Sequence, residues 1–291
     1  MFRISRRSGQ KITDVPKNTV KLIFFDTSCN GNDNSVISLE GISSLVNLWS
    51  LECNDIFLTS LSEISSLVNL RYLDCSENSI SSLKGISFLV NLRYLDCSEN
   101  SISSLKGISS LVNLRLLHCA RNSISSLKEI SSLVNLREFH CGGNSISSLK
   151  GISSLVNLRV LFCSCNSISS LQDLYSLVNL RELYCSENKI ISLKGLLNLK
   201  KIELLYFSRN YVRSFKYLPE NISDIFCDNN PVQVLYEEYE EISFVHHEYV
   251  RKIRDLSGTS KFLILKEERR NPLSHINFLG EEEIFKLYIL F

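Results

Sequence analysis

The chain has 291 residues, 22% of them charged, and a formal net charge of +1. That balance excludes the bulk basic character of a nucleic-acid coat and the bulk acidic character of a solvating tail. With 44% hydrophobic residues and only 11 Gly and 4 Pro, the composition is that of a folded protein.

Residues 1–15 are polar and basic, carrying Arg3, Arg6, Arg7 and Lys11. They hold no apolar core of a secretory leader, so they are expected to form a solvated N-terminal basic segment. Residues 16–44 look like a degenerate repeat. Leu22, Ile23, Phe24 and Phe25 make a strand-like run, and DTSCNGND reads as a loop insertion containing Cys29.

From Leu45 onward one unit of 22 residues recurs. Residues 67–88, LVNLRYLDCSENSISSLKGISF, are followed by near-copies starting at Leu89, Leu111, Leu133, Leu155 and Leu177, with a looser copy at Leu45. Self-similarity at this period marks a solenoid, in which each coil buries its apolar side only by stacking on its neighbours. The regular copies fill residues 45–198, and two shorter units, the last of them PENISDIFCDNNPVQVL, extend the array over residues 16–240.

Past residue 234 the pattern changes. Tyr239, Ile242, Val245, Tyr249, Ile253 and Leu256 recur at helical steps. Ser257 and Gly258 would end such a helix. Residues 241–291 are therefore expected to be a non-repeat, partly helical cap over the raw end of the coil. No stretch approaches the ~18 apolar residues of a membrane span, so no membrane association is expected.

Within the unit, strand alternation sends Leu73 and Cys75 inward and Tyr72, Asp74 and Ser76 outward. Ile80, Leu83, Ile86 and Leu89 complete the core on the far side of the coil. Asn78, Asn100, Asn122, Asn144, Asn166, Asn188, Asn210 and Asn230 form a ladder where the chain bends. Each is expected to hydrogen-bond backbone of its own or the adjoining coil.

The spacing Leu70-x-x-Leu73-x-Cys75-x-x-Asn78-x-Ile80 resembles the signature of leucine-rich repeat proteins of the short, 22-residue type. The IxSLxGIxSLVNL half is similar to internalin-like and phosphatase-regulatory-subunit-like repeats, with Cys75 standing where those families place Leu. Cysteine-bearing arrays ending as at Asn229-Asn230-Pro231 are similar to those of large DNA viruses and protists. The resemblance implies an α/β solenoid: a right-handed coil of leucine-rich repeats with a parallel β-sheet on its concave face. Short helical or extended segments would lie on the convex face.

Chemistry is not indicated. Cys53, Cys75, Cys97, Cys119, Cys141, Cys163 and Cys185 are spaced 22 apart in the inward slot, as small buried hydrophobes rather than ligands or staples. Cys165 lies outside that slot and is expected to be accessible. His118 and His140 share one outward slot in adjacent coils, but structural zinc needs four ligands and that row supplies no third. No phosphate loop or hydrolase motif occurs. No cofactor, no metal and no enzyme activity are expected.

Comparison of the copies separates scaffold from variable slots. The Tyr72 slot holds Tyr94, Leu116, Glu138, Val160, Glu182 and Leu204. The Asp74 slot holds Glu52, Asp96, His118, His140, Phe162, Tyr184, Tyr206 and Phe226, and the Glu77 slot varies likewise. Exposed aromatics beside charge dominate protein interfaces. The expected binding residues are Tyr72, Asp74, Tyr94, Asp96, His118, His140, Phe162, Tyr184 and Tyr206. A constant ladder from Arg71 to Arg181 is expected to pair with nearby acids at a rim. The sequence thus predicts a monomeric, intracellular scaffold that binds a protein partner, not nucleic acid, through the concave face. Docking through residues 241–291, or an internalin-like secreted adhesin, are the alternatives.

Overall fold

The computed structural model describes residues 1–5, 11–25, 39–219, 221–236, 244–245, 262–265 and 276–277. The chain forms two compact units: Met1–Ile146 with Lys150–Leu158, and Ser147–Leu149 with Arg159–Phe291.

In the first unit seven strands run parallel. They are β1 (Phe2–Ser5), β2 (Lys21–Phe25), β3 (Ser50–Glu52), β4 (Tyr72–Asp74), β5 (Tyr94–Asp96), β6 (Leu116–His118) and β7 (Glu138–His140). Most are only three residues long because the coil must turn at once to close its circuit. From β4 to β7 the register matches the sequence period: Tyr72 pairs with Tyr94, Leu73 with Leu95, Asp74 with Asp96. Equivalent residues of successive copies therefore stand side by side. The middle residue of each of these strands is buried and its two flanks face outward.

The second unit repeats this plan with β8 (Val160–Phe162), β9 (Glu182–Tyr184), β10 (Leu204–Tyr206) and β11 (Asp224–Phe226). It adds a separate sheet, β12 (Gln233–Tyr236), β14 (Phe262–Leu265) and β15 (Ile276–Asn277), and a short β13 (Phe244–Val245) that pairs antiparallel with β11. Val245, expected on a helix, is in that strand. The rest of the expected helix, and the DTSCNGND insertion with Cys29, lie outside the described residues.

The N-terminal segment departs from its expected solvated state. Phe2–Ser5 is a strand on β2, and Ile4, Ile12 and Val15 are buried. Covering the open end of an apolar stack outweighs the polar character of the segment.

The interior is one file of Leu, Ile and Cys per unit, with Leu73, Cys75, Ile80, Ile86 and Leu89 all fully buried. Removing one such Leu or Ile to Ala costs about 2–5 kcal/mol. The Asn ladder behaves as expected. Asn78 Nδ2 donates to the carbonyls of Cys53, Cys75 and Ser76, while its Oδ1 accepts from Ile56 and Leu58 N–H. Asn100 likewise ties Cys75 O of the preceding coil to Cys97 O and Ser98 O of its own. A second series on the outside is simpler: Asn69 donates to Val46 O and Asn91 to Val68 O.

Opposite the sheet the chain makes short 3-10 turns. Where the unit carries Gly85, that residue sits at φ 102° and the turn is the three residues Ile86–Phe88. Where it carries Glu63 or Glu129, the turn starts earlier and runs for five residues, Ser62–Ser66 and Lys128–Ser132. Glycine takes the φ of 102° at that position readily, and Glu63 and Glu129 do not adopt a positive φ there.

Candidate functional site

The outward strand positions of the first unit form two rows. In one, the rings of Tyr72 and Tyr94 stack with centroids 4.2 Å apart and planes within 9°. In the other stand Glu52, Asp74, Asp96, His118 and His140, brought together by the parallel register. His118 Nδ1 lies 3.2 Å from Asp96 Oδ2, and the His118 and His140 rings are 3.9 Å apart. Tyr94 meets His118 edge-on at 5.9 Å.

Local chemistry separates the two aspartates. Each accepts, through Oδ1, the N–H and hydroxyl of the Ser two residues on, Ser76 for Asp74 and Ser98 for Asp96. Burial pushes Asp74 above the ordinary carboxylate range, opposed by Ser76 and assisted by Asp96 and Glu52. Burial acts on Asp96 in the same sense, but the hydrogen bonds from His118 and Ser98 outweigh it and hold Asp96 below that range. Burial, reinforced by His118, lowers His140 to about 4. Burial and the neighbouring Asp96 raise the Tyr94 phenol.

The second unit carries a different surface. Phe162, Tyr184, Tyr206 and Phe226 stack face to face, with centroids 3.8, 4.7 and 3.9 Å apart. Tyr184 donates its hydroxyl to Glu182 at 3.0 Å, and burial together with that bond raises it to about 12. Phe226 closes the stack and was not among the expected binding residues; its slot, shared with Tyr206, is the signal that points to it.

The third variable slot has another cause. Glu77, Glu99, Arg121, Cys165, Glu187 and Arg209 all sit at φ between 51° and 56°. Each is the left-handed residue that turns the chain from strand into Asn ladder, and its side chain is set outside the strand rows. Arg121–Glu99 and Arg209–Glu187 pair there across coils. As exposed ion pairs they contribute little.

The Arg ladder also departs from expectation. Arg181 pairs with Glu203, but Arg71, Arg93, Arg115 and Arg137 have no ion pair among the described residues. The cysteines do follow expectation: Cys53 to Cys185 in the 22-residue series are fully buried and unbridged, and Cys165 is exposed. Cys75 Sγ donates to Asp96 O at 3.2 Å, and burial raises the thiols of Cys53, Cys75, Cys97, Cys119, Cys163 and Cys185 above their ordinary value. Among the described residues no three of His, Cys, Asp or Glu are grouped as metal ligands. None of the described helices is long and apolar enough to cross a membrane.

An invariant apolar file inside, with a decorated strand face outside, defines a repeat solenoid of the kind commonly used as a protein interaction module. Residues 27–229 match the profile of a leucine-rich repeat region; the chain belongs to the leucine-rich repeat family. No curated protein sequence matches it. Among solved structures, the functional domain of InlJ from Listeria monocytogenes, which includes a cysteine ladder, is similar at 26% identity and a TM-score of 0.63. That match covers 74% of this chain and 45% of the other, so the chain spans under half of that protein. An internalin, InlF, from the same organism matches at 20% identity and a TM-score of 0.58, over 85% and 86% of the two chains. TLR13 in its complex with ssRNA13 matches at 24% identity and a TM-score of 0.62, over 74% of this chain and 33% of that one. The last two likenesses concern the fold alone.

Proposed function

We propose that the chain is a non-enzymatic scaffold that binds another protein through the outward strand face. The observation that carries this reading is the four-ring stack of Phe162, Tyr184, Tyr206 and Phe226. Core formation does not need rings on that face, since the inward positions already supply the apolar file. Stacked, pre-ordered aromatics present contact area at low entropic cost, as interface anchors do. Tyr72, Asp74, Tyr94, Asp96, His118 and His140 form the second candidate patch. The cysteine-lined interior supports a reducing, intracellular compartment, and the protein acts as a monomer.

Affinity purification of the full chain, followed by mass spectrometry, tests this. Phe162→Ala with Tyr184→Ala is expected to lose the captured partner. Retention of the partner by that variant, with loss on deletion of residues 241–291, would favour the second reading, docking through the C-terminal region. The separate sheet of β12, β14 and β15 supports that second reading. Recovery of the protein outside cells would replace the intracellular assignment by an internalin-like one.

A further inference from the structure

Charge on the face of the first unit is not evenly neutralised. Arg71, Arg93, Arg115 and Arg137 immediately precede β4 to β7, and their backbones are bonded in succession: Arg93 N to Arg71 O at 2.8 Å, Arg115 N to Arg93 O at 2.9 Å, Arg137 N to Arg115 O at 2.8 Å. Four arginines thus follow one another with their backbones at the strand spacing of about 4.8 Å. Of the nearby acids, Glu99 pairs with Arg121 and Glu52 with Lys21, and Glu138, which follows Arg137, pairs with none of the four. Like charges so placed repel one another, and an anion laid along the row removes that repulsion.

Beside the first two arginines lies a groove of about 780 Å³, lined by Trp49, Asn69, Arg71, Tyr72, Arg93 and Tyr94 among others. Trp49 occupies the equivalent position, immediately before β3, and is 45% exposed. Its neighbour Ser50 stands in register with Tyr72, so the tyrosine stack ends beside a small residue. Across the strands the order is therefore a cationic row, an aromatic row, and then the carboxylates of Glu52, Asp74 and Asp96.

From this order we infer that the groove binds an extended, acidic segment of a partner protein, with carboxylates over Arg71 and Arg93 and an apolar ring against Trp49 and Tyr72. The inference rests on the protein-binding reading of this face. An extended peptide sends alternate side chains to opposite sides, and same-side positions recur at about 6.6 Å, within reach of flexible arginines. It can place acids on the arginine side only. A single nucleic-acid strand also sets phosphates to one side and bases to the other, but it brings a charge at every nucleotide to a face that holds the carboxylates of Glu52, Asp74 and Asp96, and an oligothymidylate probe separates the two.

Fluorescence anisotropy on the full chain tests this with three probes: a labelled peptide alternating glutamate and serine around a central phenylalanine, its lysine-for-glutamate counterpart, and a short labelled oligothymidylate. The acidic peptide should bind, more weakly as salt rises. It should lose about tenfold or more in affinity in the Arg71→Glu, Arg93→Glu variant, and lose less in Arg71→Lys, Arg93→Lys. All four guanidinium groups are exposed, and an unchanged melting curve separates lost binding from lost fold. Absence of acidic-peptide binding, equal binding to the charge-reversed variant, or preference for oligothymidylate would overturn the inference. A partner still captured through Phe162 and Tyr184 would then leave the broader protein-binding reading standing, whereas loss of both would end it.

Discussion

The imidazole of His140 stands 3.9 Å from that of His118, tilted by 33°, while His118 meets Asp96 on its other side, Nδ1 to Oδ2 3.2 Å. Burial, reinforced by the neighbouring His118, disfavours the charged form of the His140 ring.

The expected consequence is an acid limb in stability. Folded His140 titrates at about 4 against an ordinary 6.5. Between those values the unfolded chain binds a proton that the folded chain does not, so stability falls as pH drops from about 6.5 to about 4. Asp96, held below its ordinary value, adds to this: its contribution is present above the ordinary carboxylate range and is lost as pH falls through its folded value. Urea unfolding at stepped pH should show the decline, and His140→Phe should flatten the upper part of it. An NMR titration midpoint for His140 near 6.5 would contradict the account.

The two Asn ladders should differ sharply. Asn100→Ala leaves the Ile80 N–H without a partner and removes one of two donors from the carbonyls of Cys75, Cys97 and Ser98, and is expected to cost about 2–3 kcal/mol. Asn91→Ala removes one bond to Val68 O at an exposed position and should cost under about 1 kcal/mol. Chemical unfolding of the two variants gives the comparison, and equal losses would mean that the inner ladder is not the tie between coils.

Gly85→Ala should destabilise by about 1–2 kcal/mol. Its φ of 102° is left-handed, and an added Cβ would stand 2.5 Å from Leu61 O. Gly151, at φ 108° with its Cβ directed into Leu127 O, should be at least as intolerant. A melting temperature unchanged by either substitution would show that the turn relaxes into the five-residue form seen at Glu63 without cost.

Thiol reactivity should divide the cysteines. Maleimide labelling of the native protein, mapped by peptide mass spectrometry, is expected to modify Cys165. Cys53, Cys75, Cys97, Cys119, Cys141, Cys163 and Cys185 should remain untouched until denaturant is added, since burial excludes the reagent and disfavours the thiolate.

Much of this was legible because a parallel stack in register turns sequence period into spatial adjacency. Leu73, Cys75 and Asn78 could be assigned inward from one copy and confirmed by the next. The Tyr72–Tyr94 and Phe162–Tyr184 contacts followed from shared slots. What escaped has physical causes. The strand at Phe2–Ser5 carries one buried side chain, Ile4, and no period to betray it. The slot of Glu77 varies because the left-handed turn asks for a backbone conformation and nothing of the side chain, so its variation mimics recognition. The bare arginines depend on where Glu99 and Glu52 reach, a choice among rotamers that spacing does not encode. The helical spacing through Val245 was real, but pairing with β11 prevailed over it at that residue.

The register of β4, β5 and β6 bears on how such a chain can change length. Unequal recombination that excised residues 89–110 would join one copy to the next without a seam and set Asp74 beside His118. Asp74 already has its Oδ1 engaged by Ser76, as Asp96 has by Ser98. The acid–imidazole contact would therefore be rebuilt from a spare part. The tyrosine stack would be lost, leaving Tyr72 against Leu116. A gene of this kind can shuffle its recognition surface one coil at a time while the interior never registers the edit.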